Sequence, residues 1–281
     1  MKNTSFIFFI LSALFFSMSG CSDLKNSKTP VETAITVHGI GFADTTQKSS
    51  SNFHAAFVKT KNFDLQLCQS CHGSDYAGGT TGQSCNSCHN KTNGPENCTT
   101  CHGTLNAAPP RDLAGNTTRT SRAVGAHQIH LAGGTLGAAV SCNTCHNVPQ
   151  KFSSAGHIDA TEHAEIKFDS TSTFYRSNTV YNASNVSCTN TYCHGSFNGG
   201  NLNVTMTWTD TSSTAAQCGT CHGDATLSDP DPVINLKKKA FPKTGHTTAT
   251  VTASCWTCHV AVVNSSMAII NTSKHVNGRI D

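Results

Sequence analysis

Charge is scarce in this chain. Asp, Glu, Lys and Arg make up 12% of 281 residues, about half the usual share. Apolar residues reach only 37% and aromatics 7%, below the composition of ordinary globular domains. A chain this poor in apolar side chains cannot build a core of normal size from its own residues. Lys237-Lys238-Lys239 is its one basic run. It is read as a solvated face, and nucleic acid is excluded as a partner. Beyond residue 16 no apolar run is long enough to cross a bilayer as a helix. Methionine is rare as well: past residue 20 only Met206 and Met267 remain.

What the chain has instead is cysteine and histidine, 15 of each. Six times a C-x-x-C pair runs straight into a histidine: Cys68–His72, Cys85–His89, Cys98–His102, Cys142–His146, Cys218–His222 and Cys255–His259. A seventh site, Cys188–His194, is stretched, with four residues between its cysteines. C-x-x-C-H is the attachment signature of c-type haem. Two thiols add to the porphyrin vinyls, and the following His binds iron from below. Structural disulfides would not need a His after every pair. Zinc sites use two separated ligand pairs and do not demand a His directly after the second Cys. A thioredoxin-like motif would occur once. The reading is seven covalent haems, held by Cys68, Cys71, Cys85, Cys88, Cys98, Cys101, Cys142, Cys145, Cys188, Cys193, Cys218, Cys221, Cys255 and Cys258. The proximal ligands are His72, His89, His102, His146, His194, His222 and His259.

Seven pairs leave one cysteine over, Cys21. Residues 1–20 read as a secretory signal: Lys2, then the apolar stretch SFIFFILSALFF from Ser5 to Phe16, too short to span a membrane. Met18-Ser19-Gly20-Cys21 resembles a bacterial lipobox, with Cys21 as the lipidated residue. Ser22 follows in place of the Asp that retains lipoproteins in the inner membrane. The expected address is therefore the cell outer membrane, lipid-anchored, with either face open.

The expected fold is a haem-packed, mostly irregular chain with few short helices and short strands, a multihaem cytochrome c in which porphyrins replace the missing core. The expected organisation is a signal peptide (1–20), a lipid anchor and tether (21–51), a trihaem lobe (52–105), a linker (106–122) and a tetrahaem lobe (123–281). Each motif should occupy one helical turn. Residues 52–59 and 124–132 read as short helices, and 164–168 and 203–208 as short strands. Trp256, inside its motif, is read as packing on a haem edge. From Cys21 on, 18 basic residues face 16 acidic ones. Two propionates per haem bring the charge to about −5 oxidised and about −12 reduced.

The sixth ligand decides what the irons can do. Eight histidines lie outside the motifs: His38, His54, His127, His130, His157, His163, His246 and His275. That nearly matches seven open axial positions. His127 and His130, three apart on an expected helix, share a face and could reach two neighbouring haems. The expected spare is His163. Bis-His ligation implies low potential and irons closed to substrate.

Several phrases resemble multihaem outer-surface c-type cytochromes of metal-reducing bacteria, which mix CxxCH with CxxxxCH. They are VHGIGFAD and FHAAF before site one, CHGSDYAGGTTGQSCNSCH across sites one and two, GAHQIHLAGG before site four, AGHID after it, CTNTYCHG at site five and HVNGRID at the end. The resemblance implies distal ligation by His38, His54, His127, His130, His157, His246 and His275. It further implies low-potential electron transfer across the cell envelope toward extracellular acceptors such as metal oxides. The implied partners are other c-type cytochromes or a porin–cytochrome complex, besides the outer membrane itself. The chain is thus read as an electron carrier with no catalytic residues, whose terminal metal reduction would be outer-sphere. The alternative is a multihaem reductase of nitrogen or sulfur oxyanions with one open haem iron.

Overall fold

The computed structural model describes residues 37–159, 161, 163–174, 178–246, 249–277 and 279. The expected signal peptide, Cys21 and most of the tether lie outside these residues. The chain divides into two compact units, one through Asn62 and one from Phe63 onward.

The described part of the first unit is a run of turns ending in helix α1, His54–Thr60. The helix starts two residues later than position 52, because Phe53 is extended and acts as its N-cap. Phe42 organises this unit. His38 stacks on its ring at 3.9 Å, Phe57 meets it edge-on at 5.8 Å, and its carbonyl accepts from His54 Nδ1 at 3.0 Å.

In the second unit regular structure is short and tied to the motifs. Helix α2 (Gln66–His72) carries site one, α3 (Cys98–Cys101) carries site three, and 3₁₀ turns at Cys85–Ser87 and Cys142–Thr144 carry sites two and four. Helix α4 (His127–Ala132) precedes site four. Three short strands, β1 (Val180–Asn182), β2 (Ser187–Thr189) and β3 (Thr205–Thr207), form an antiparallel sheet in that order, with Cys188 opposite Met206. Helix α5 (Pro232–Ala240) follows site six, α6 (Cys255–Cys258) carries site seven and α7 is Thr272–His275.

Three local expectations need correction. Residues 164–168 form no strand. Their backbone partners belong to site four: Lys167 N donates to the Cys145 carbonyl at 2.8 Å, and Asp169 N to that of Thr144 at 3.0 Å. Site six is a turn rather than a helical turn, because Gly219 sits at φ +90° inside C-G-T-C-H, outside the helical region. The lysine run is no solvated face: Lys237 is 8% exposed with Nζ 4.7 Å over the Trp256 ring, and Lys238 pairs with Asp229 at 2.6 Å.

The polypeptide has almost no core. Among the described residues, the buried apolar side chains are Phe53, Leu65, Tyr76, Val124, Tyr192, Val262 and Val263, and the largest side chain wholly sealed from solvent is Ser187. Leu105, by contrast, is 98% exposed. No helix among the described residues is long and apolar enough to cross a membrane.

Candidate haem sites

Three of the regular motifs hold their ends together by one short backbone bond. The histidine N–H donates to the first cysteine's carbonyl at 2.9 Å in sites two, four and seven, an α-type closure. Residues just ahead cap motif turns: Ser84 Oγ accepts from Asn86 N, and Asn97 Oδ1 from Thr99 N. Site five solves the longer spacing differently. Cys188 lies on β2, Asn190 turns the chain at φ +57°, and Tyr192–His194 forms a 3₁₀ turn carrying the second cysteine and the histidine. Asn is one of the few residues that adopt that backbone region readily.

Five motif histidines face a second histidine. A histidine nitrogen bonds a transition metal at about 2.0–2.1 Å and lies about 1.2 Å from its own ring centre, so rings on opposite sides of one iron have centres about 6.4 Å apart. The observed separations are 6.5 Å for His102 and His157, 6.1 Å for His146 and His127, and 6.1 Å for His194 and His130. They are 6.2 Å for His222 and His275, and 6.2 Å for His259 and His246. Sites three to seven therefore each have two imidazoles at the spacing of a six-coordinate iron.

Eight of the rings are also held through Nδ1. His72, His146 and His222 donate Nδ1–H to the carbonyls of Gln83 (2.8 Å), Glu165 (3.1 Å) and Ala240 (2.7 Å). His127, His130 and His157 do the same to Val124 (2.8 Å), Ala126 (3.0 Å) and Phe152 (2.8 Å). His102 pairs with the Ala107 carbonyl and His275 with that of Leu136. A carbonyl acceptor places the proton on Nδ1 and leaves the Nε2 lone pair for a metal. Burial pulls His194 down to about 4 and lowers His127 and His222, so the neutral, ligating form is favoured.

All fourteen described cysteines are free of disulfides. Burial pushes the Cys145 thiol up to about 12 and those of Cys188 and Cys193 to about 11. No cluster of three or more metal-binding side chains occurs among the described residues. Paired free thiols, imidazoles anchored through Nδ1 and few buried apolar side chains among the described residues together fit covalent haem.

The remaining candidates are placed as follows. His89 lines a cleft of about 420 Å³ with Tyr76, Asn86, Gly94 and Glu96, where Tyr76 Oη donates to Glu96 at 2.7 Å. His38 and His54 lie in the first unit, against Phe42. His163 is exposed. Two features escaped sequence reasoning. The carbonyls that fix the imidazoles are backbone groups without a side-chain signature. Trp208, which contacts both His127 and His130, was read only as the end of a strand.

Residues 187–222, spanning sites five and six, match a family described as the Geobacter CxxxxCH...CXXCH motif. No curated protein and no solved structure matches the chain. The match supports a multihaem c-type cytochrome, an electron carrier that holds haem c covalently.

Proposed function

We infer that this chain carries electrons at low potential through seven bis-His haems, across the cell envelope toward extracellular acceptors such as metal oxides. The observation that carries the reading is the set of five histidine pairs at six-coordinate spacing. Haem, when bound, supplies reversible one-electron storage. The paired histidines, such as His102 with His157 and His222 with His275, would hold the iron from two sides, so that little would rearrange between oxidation states and substrate would be kept from the metal. By the resemblance given above, His38 and His54 are the remaining distal candidates, with His163 as the expected spare.

The motifs are also linked in series. His102 of site three meets His157, which follows site four. One turn of α4 supplies His127 to site four and His130 to site five. Cys221 Sγ of site six lies 3.7 Å from the Cys193 carbonyl of site five. Helix α5 joins six to seven, its Ala240 carbonyl holding His222 and its Lys237 covering Trp256. Such contacts favour short electron steps. Export and lipidation at Cys21, an outer-membrane address and docking to other cytochromes or a porin–cytochrome complex belong to the same proposal, on the sequence features given above.

The test is a visible spectrum of the dithionite-reduced holoprotein before and after carbon monoxide. No change is expected. A shifted Soret band in a fraction of the haems would reveal an open iron and point instead to a reductase of nitrogen or sulfur oxyanions.

A further inference from the structure

We propose that Trp208 is a shared positioning residue which sets the ring orientations of His127 and His130, and so makes sites four and five electronically unlike. The inference rests on the six-coordinate reading of those two sites.

The indole touches both rings in different ways. It meets His127 edge-on, with centres 4.8 Å apart and planes at 90°. It stacks on His130, with centres 5.6 Å apart and planes at 28°. The indole is itself fixed. Its Nε1–H donates to the Arg122 carbonyl at 3.0 Å, and its backbone N–H donates to the Val186 carbonyl at 2.7 Å. Room for it exists only because residue 125 is glycine: a Cβ there would lie 1.9 Å from Nε1. Each histidine is separately held by its Nδ1 bond to a carbonyl in the preceding turn. That bond fixes one edge of the ring, and the indole limits rotation about it.

The result is a contrast between neighbouring sites. His127 and His146 lie near parallel, with 19° between planes. His130 and His194 stand at 72°. The other pairs stand at 79°, 71° and 58°. Parallel imidazoles split the iron d orbitals rhombically, while crossed ones leave them nearly degenerate, so ring rotation changes the low-spin EPR signal and the ease of reduction. Site four should thus give a rhombic signal, set apart from the large-gmax signals of its neighbours.

The experiment is EPR of the fully oxidised holoprotein, with haem content measured alongside. His127→Met and His130→Met assign the signals of sites four and five. Trp208→Leu is expected to shift the site-four signal toward larger gmax and to broaden that of site five, with the other signals unchanged. Trp208→Phe retains an aromatic face but not the N–H, and should cause a smaller change at the same two sites. Signals unaltered in Trp208→Leu, or shifts shared by all sites, overturn the proposal. If the leucine variant fails to retain haem, the phenylalanine variant decides. Broadening confined to sites four and five supports the proposal, and an unchanged spectrum overturns it. Carbon monoxide binding at site four or five of the unmodified protein would instead remove the six-coordinate reading beneath it.

Discussion

Seven of the paired imidazoles have two contacts each, a carbonyl on Nδ1 and an opposed ring. His157 illustrates the pair: the Phe152 carbonyl orients it and His102 faces it at 6.5 Å. His157→Ala should therefore open a single iron, and the reduced variant should form a carbon monoxide adduct equal to one haem per molecule where the parent forms none. Lys237 is the other residue with a sharp expectation. A buried cation over Trp256, between the two cysteines of site seven, stabilises the reduced and more negative haem. Lys237→Gln should lower the midpoint potential of one haem in a redox titration and leave the others in place. A uniform shift of every haem would refute that local role.

At the scale of elements, short turns do the work that long helices do elsewhere. A motif closed by one backbone bond has little stability of its own, so capping and close backbone contact matter. Asp231 accepts from both Val233 N and Ile234 N at the start of α5. Asp231→Ala should cost about 1 kcal/mol, measured as a lower denaturant midpoint with haem content unchanged. Gly195 stands at φ +106°, and a Cβ there would lie 2.7 Å from the Cys221 carbonyl. Gly195→Ala should destabilise by about 1–3 kcal/mol, with sites five and six perturbed together. The failed strand at 164–168 belongs here as well. Its alternation was legible, but alternation marks a sheet only where a partner strand is available, and these backbone groups bond to site four instead.

Over the whole molecule, the shortage of buried apolar side chains is the main physical fact. Leu105 and Val260 are largely exposed, while the largest fully sealed side chain among the described residues is a serine. Covalent haem would supply the missing apolar mass. Protein made in a host unable to attach haem should therefore be largely unfolded. Far-ultraviolet circular dichroism without a cooperative thermal transition is the expected result, and a cooperative melt of the apoprotein would contradict it.

Much was legible before any coordinates, because thioether attachment and proximal ligation use contiguous residues. Cys188–His194 or Cys255–His259 announces its chemistry through spacing alone, and the low apolar content already pointed to a cofactor-dependent core with sparse regular structure. Distal partners are another matter. His157 meets a motif far before it, and His130 one far after it, with no fixed offset between them. Only the folded backbone brings such pairs together, selects the carbonyls that hold their Nδ1 atoms, and buries Lys237 in a run that reads as solvated. Covalent haem attachment was thus determined locally by sequence. The pairing of rings and the angle between the members of each pair were decided by tertiary structure, because they depend on contacts between segments that sequence spacing does not relate.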